Sequence, residues 1–157
     1  MKHVFLVLIS ISFTFSSCNR EGCTDTFAAN YKEKAESDDG SCRYDSDPFE
    51  GRWEMTDSIN VFGEWTPVET RTLDIRIQST NRSKVKFFWR FANGSYSDTL
   101  EANAKPNTLS IPIQSFRDSL MIQGNFTIAR IGGIKCDYRL SGTSTYEEYR
   151  GVGTKLD

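Results

Sequence analysis

At 157 residues the chain has room for one domain of ordinary size with short additions. Its 21 acidic and 19 basic residues leave it mildly acidic, a balance that argues against binding the phosphate backbone of nucleic acid. The one histidine, His3, lies at the extreme N-terminus, so histidine-based catalysis and histidine-ligated metals have almost no material to work with. Reading from the start, Met1-Lys2-His3 supplies one positive charge, and an apolar stretch follows from Val4 to Phe15. As a helix that stretch would extend about 18 Å against a hydrocarbon core of about 30 Å, too short to span a bilayer. A short apolar core between a basic start and small residues is the pattern of an export signal that is later removed.

The small residues are Ser16 and Ser17, and Cys18 follows at once. This junction resembles the lipobox of bacterial lipoproteins, with Phe15 standing where the family prefers Leu. The resemblance implies a signal peptide over residues 1–17, cleavage before Cys18, and lipid (palmitate among its acyl chains) on that cysteine. Each buried CH₂ of an acyl chain contributes about 0.8 kcal/mol, and more than one chain gives stable anchoring. The implied partner of Cys18 is a membrane, and the implied address is the cell envelope. No acidic run follows Cys18, so nothing here indicates surface display, and the leaflet stays open.

Four cysteines are present: Cys18, Cys23, Cys42 and Cys136. An exported chain meets an oxidising compartment where disulfides persist. With Cys18 lipidated, Cys23 and Cys42 are the natural pair, bracketing a short polar segment whose closure is worth about 3 kcal/mol in the chain-entropy model. Were Cys18 not lipidated, it could pair with Cys136.

Residues 22–44 are similar to a short repeat, GCTD-x-x-A-x-N-Y-x-x-x-A-x-x-DDGSC-x-Y, of secreted and envelope proteins of Gram-negative bacteria; Thr26 replaces its usual proline. That similarity favours the outer membrane of a Gram-negative bacterium. Asp25, Asn30, Asp38 and Asp39 place oxygen-bearing side chains close together, which suits calcium, although their spacing is not that of an EF-hand. The other reading is Asx-turns with Gly40 left-handed. Either way residues 18–47 form a lipidated, disulfide-stapled spacer, too small to hold itself by apolar burial.

From residue 48 to 157 apolar and polar residues alternate, the signature of half-buried strands. Leu73, Ile75 and Ile77 form one such set; Val85, Phe87, Trp89 and Phe91 another. Leu109, Ile111 and Ile113 follow, then Leu120, Ile122, Phe126 and Ile128, and finally Ile134, Cys136, Tyr138 and Leu140. Asn93-Gly94 is a strong hairpin signal, and Gly132-Gly133 a second; softer breaks lie at Gly63-Glu64, Ser79–Arg82, Asn103–Asn107, Ser115–Arg117 and Gly142–Ser144. The runs between breaks predict eight strands, near 51–58, 65–78, 83–92, 95–102, 108–114, 118–131, 134–142 and 145–154. Eight antiparallel strands with short connections suit an all-β up-and-down barrel, and a β-sandwich is the rival.

Gly51-Arg52-Trp53 at the first strand resembles the G-x-W signature of lipocalins. It implies a lipocalin-like barrel in which Trp53 closes one end beneath a basic side chain, Arg150 or Lys155. A barrel of this size is filled by side chains or holds one small ligand. Both outcomes fit Phe87, Trp89, Phe91, Phe126, Cys136 and Tyr138 facing inward, where they would line a pocket or consume it. Cys136 at an inward position reads as a small hydrophobe.

An enzyme is not expected. With His3 in the segment to be removed, no Ser-His-Asp or Cys-His set can form. Gly151-Val152-Gly153 precedes no helix, and Glu147-Glu148 are neighbours on a strand rather than carboxyls facing across a cleft. Two functions compete: an anchored barrel binding a small apolar or amphipathic molecule, and an accessory lipoprotein with a filled barrel acting through its outer surface. No cofactor is expected apart from the calcium reading, and no nucleic acid.

Overall fold

The structure, a computed structural model, describes residues 20–90, 99–116, 119–129 and 132–156. The expected signal peptide, Cys18, Phe91 and the Asn93-Gly94 turn lie outside the described residues. Eight strands follow one another as β1 (Gly51–Val61), β2 (Glu64–Gln78), β3 (Asn81–Arg90), β4 (Leu100–Lys105), β5 (Thr108–Phe116), β6 (Leu120–Ile128), β7 (Gly133–Ser141) and β8 (Tyr146–Leu156). Each pairs antiparallel with its successor, and β8 returns to β1, closing the barrel. Closure excludes the sandwich and leaves no free sheet edge. Among the described residues no helix is long and apolar enough to cross a membrane.

All eight expected strands exist, with shifted ends. The first turn falls on Phe62-Gly63, one residue earlier than Gly63-Glu64, because both residues take positive φ, 52° and 92°. That is the two-residue hairpin geometry matching strand twist, and Asn60 Oδ1 accepts the Gly63 N–H at 2.8 Å. β4 runs on to Lys105, past the expected break at Asn103, and pairs Lys105 with Thr108. Pro106 and Asn107 make the turn between them, with Asn107 at φ 57°. The expected Gly132-Gly133 turn is displaced, since Gly133 already belongs to β7; Gly132, left-handed at φ 74°, donates its N–H to Ala129 O just before the strand.

Alternation sorts the faces. Along β7, Ile134, Cys136, Tyr138 and Leu140 are buried while Lys135, Asp137 and Arg139 are exposed. Trp53, Met55, Leu73, Ile75, Val85, Phe87, Leu100, Leu109, Ile122 and Phe126 complete much of the core. One expected inward residue is turned out. Ile113 is 63% exposed because β5 carries an extra residue against β6 between Ile111 and Gln114, and Pro112, lacking an N–H, sits in that bulge. Phe116 regains the interior, and the Gln114 side chain bonds the Glu101 backbone N–H and carbonyl, extending the contact of β5 with β4.

The segment from Arg20 to Asp47 meets the barrel through Tyr44, Ser46 and Asp47, which gather on Arg82 at the end where β1 begins. Cys23 and Cys42 form a disulfide. A short 3-10 turn, Asp47–Phe49, then drives Phe49 fully into the core. Ser46 Oγ donates to Arg82 O, and the Arg82 guanidinium pairs with Asp47 at 3.0 Å while lying over the Tyr44 ring. The disulfide lies outside the barrel core, so a Cys23→Ser/Cys42→Ser variant is expected to lose protection locally. Hydrogen exchange should accelerate by about tenfold or more over residues 22–44, with the barrel transition moved by only a few degrees. Collapse of both together would show that barrel and staple fold as one unit.

Candidate functional site

In the stapled segment the four candidate calcium ligands engage backbone and neighbours. Asp25 accepts the Phe27 N–H and the Tyr44 hydroxyl, at 2.9 and 2.6 Å. These bonds, the Tyr44 hydroxyl first, hold the Asp25 carboxyl below its ordinary range and push the Tyr44 phenol up. Asn30 bridges Ser41 O and Arg43 N; Asp38 and Asp39 accept the Gly40 and Ser41 N–H groups, with Gly40 left-handed at φ 73°. Among the described residues no three His, Cys, Asp or Glu side chains are grouped to hold a metal ion.

At the end where β1 begins, Gly51 takes φ 127°, and a Cβ there would run into the Lys155 side chain. Trp53 is 2% exposed and its Nε1 donates to Phe49 O at 2.8 Å. Lys155 Nζ lies 5.5 Å from the Trp53 ring centre, a cation–π contact. Arg150 does not share this role. It is on the outer face, 4.3 Å from the Trp65 ring.

The expected ligand-facing residues point inward and pack on one another. Phe87 and Phe126 rings are 5.0 Å apart, and Trp89 meets Tyr138 edge-on at 5.4 Å. Cys136 is free and buried, and desolvation pushes its thiol well up, away from thiolate chemistry.

Sequence reasoning missed the charged pair beside them. Asp57, fully buried, accepts from Arg71 Nε at 2.9 Å, from Arg71 Nη2, and from the Tyr138 hydroxyl at 2.8 Å. Desolvation would lower the Arg71 guanidinium, but Tyr138 and Asp57 outweigh it and hold the group cationic. The Arg71 plane also lies over Trp89 at 4.7 Å. Gly151 makes room: a Cβ there would strike the Asp57 carboxylate and the Cys136 sulfur. Strand parity was the available signal, since Asp57 continues Trp53 and Met55, and Arg71 precedes Leu73 and Ile75.

Tyr149 stacks on Tyr138 at 4.8 Å and donates to Glu147, and desolvation first, then that bond, raises its phenol to about 12. Burial raises Tyr138 further. A phenol raised on folding contributes stability that is complete below the unfolded value near 10 and is lost as pH climbs through the folded one. Denaturant midpoints are therefore expected to fall between pH about 10 and about 12, with a shallower fall in Tyr149→Phe.

On the outer face, strand register aligns two polar ladders. Ser110, Asn125, Asp137 and Arg150 are consecutive cross-strand partners from β5 to β8. Gln123, Arg139 and Glu148 run beside them, and Asn60, next on β1, pairs with Trp65. Ser110, Gln123, Asn125, Asp137, Arg139, Glu148 and Trp65, together with Pro112 and Ile113 from the bulge, line an open cleft of about 460 Å³, with Arg150 and Asn60 at its margin. Asn60 Nδ2 reaches Glu148 at 3.4 Å, and Tyr146 donates to Glu148.

No family model matches the chain, and no curated protein matches it. Among solved structures, the chain is similar to zebrafish ileal bile acid-binding protein complexed with cholic acid. The two share 13% identity with a TM-score of 0.43, over 69% of this chain and 99% of that one.

Proposed function

We propose that this chain is an exported, lipid-anchored accessory barrel of the bacterial envelope that works through its outer surface. The observation carrying this reading is the filled interior: Phe87, Trp89, Phe126, Cys136 and Tyr138, all at most 5% exposed, occupy the space a ligand would need. The cleft of this barrel wall opens outward instead. Anchoring follows from the resemblance of Ser16-Ser17-Cys18 to a lipobox. It is tested by metabolic labelling with alkyne-palmitate, which should mark the wild-type chain and not Cys18→Ser. An unlabelled wild-type chain in the soluble fraction would overturn it.

A second reading, a small apolar or amphipathic ligand entering the barrel, is favoured by the barrel end opposite Gly51. There the Arg71 side chain is 20% exposed and Tyr149 half-buried, so a cation stands at the edge of an aromatic interior. Titration with a fluorescent fatty acid separates the two. The outer-surface reading expects no saturable uptake, and stoichiometric uptake abolished by the double change Asp57→Leu/Arg71→Met, which removes the cation without stranding its carboxylate, would replace it with the second.

A further inference from the structure

We propose that the outer cleft over β5–β8 is a binding site for a neutral, polyhydroxylated ligand, that is, a saccharide; this rests on the outer-surface reading above. The floor carries an amide pair, Gln123 and Asn125, beside Asp137, Arg139 and Glu148. Among the described residues no hydrogen bond or ion pair occupies the Gln123, Asn125, Asp137 or Arg139 side chains, although Arg139 and Glu148 are direct cross-strand partners of opposite charge. Donors and acceptors of both kinds therefore face solvent in one plane, which is what a ring of hydroxyl groups, each both donor and acceptor, can satisfy.

The charges select further. On the floor Asp137 and Glu148 stand against Arg139, and Arg150, the cross-strand partner of Asp137, stands at the margin beside Trp65, so the local charges nearly cancel and favour neither a strong anion nor a strong cation. An apolar ligand would desolvate these groups without replacing their hydrogen bonds, at about 1–3 kcal/mol each. The walls complete the match. Trp65 stands on one side, its indole backed by Arg150 at 4.3 Å, and the bulge pushes Ile113 and Pro112 out on the other. A sugar presents hydroxyl edges and C–H faces; a polar floor between an indole and an aliphatic wall offers a partner to each. The bulge that returns Phe116 to the core also turns Ile113 outward beside the cleft, and bulges recur beside functional sites.

The test uses the full-length lipidated chain in detergent, titrated calorimetrically with maltotetraose, cellotetraose and tetra-N-acetylchitotetraose. Tryptophan fluorescence is read in parallel, because Trp53 and Trp89 are buried and Trp65 is the half-exposed one. At least one tetrasaccharide is expected to bind with 1:1 stoichiometry. Trp65→Ala should weaken it by about tenfold and Asp137→Asn severalfold, with unfolding temperatures unchanged in the latter. Should Trp65→Ala fail to fold, Asp137→Asn and Arg139→Ala, both at exposed strand positions, decide. Absence of binding to all three up to about 10 mM, or binding indifferent to the variants, overturns the proposal. A protein crosslinked to this face without saccharide binding would also overturn it while leaving the outer-surface reading intact; fatty-acid uptake would remove that reading and is measured separately.

Discussion

Replacing Arg71 with Ala is expected to lower the melting temperature by more than about 10 °C. Asp57 is fully buried, and its Oδ2 accepts from Arg71 and the Tyr138 hydroxyl. Removing the guanidinium leaves a carboxylate inside the barrel with only neutral donors, the Tyr138 hydroxyl and the long contact of the Cys136 thiol, and breaking a buried pair from one side costs about 3–5 kcal/mol. In a domain of this size each kcal/mol moves the transition by about 4 °C. The location enlarges the effect. Asp57 comes from β1, Arg71 from β2, Tyr138 and Cys136 from β7, and Gly151 from β8, so the network straddles the β1–β8 seam where the sheet closes on itself. Loss of Arg71 therefore breaks both its pairing with Asp57 on β1 and its contact with the Tyr138 hydroxyl on β7. The double variant Asp57→Leu/Arg71→Met should melt within a few degrees of the wild type, because apolar isosteres often replace a buried pair without loss. Circular dichroism melts of the three proteins decide it; an Arg71→Ala protein melting within about 2 °C of the wild type would refute the assignment.

The barrel was legible because each strand announces itself twice, by alternation along its length and by turn residues at its ends. What failed to be legible was local. Ile113 carries the right parity for the core, and only a proline one residue earlier hints that β5 loses its phase there. Arg71 and Asp57 sit on inward parity, but a charged residue at an inward position reads as a strand end until its partner, 14 residues away, is brought opposite. The outer cleft could not be read at all. Its residues come from five strands, and they meet only through the register of a closed sheet. Cys23 and Cys42 were legible as a pair because little else in their segment could hold it. The oxygens of Asp25, Asn30, Asp38 and Asp39 were legible as a set, yet whether they converge on an ion or diverge onto backbone amides depends on turn geometry, and here each accepts an N–H of the segment.

Trp53→Ala is expected to be comparably damaging, and its pattern distinguishes a closing residue from an ordinary core tryptophan. Deleting a buried indole costs about 3–5 kcal/mol through lost transfer and the cavity left behind. An ordinary core position would show that loss and nothing else. Trp53, however, also donates from Nε1 to Phe49 O and lies beneath Lys155. Its removal frees the carbonyl of the residue that plugs the barrel and withdraws the surface on which the last strand's cation rests. Amide exchange in Trp53→Ala should therefore accelerate selectively at Phe49–Gly51 and along Thr154–Leu156, beyond what the global destabilisation produces. Trp53→Phe keeps most of the volume and loses only the donor, so it should cost about 1–2 kcal/mol and still loosen Phe49. Exchange that rises uniformly over the barrel in both variants would show that Trp53 merely fills space. Exchange concentrated at the two chain ends that meet there would establish that this end is held shut by the indole.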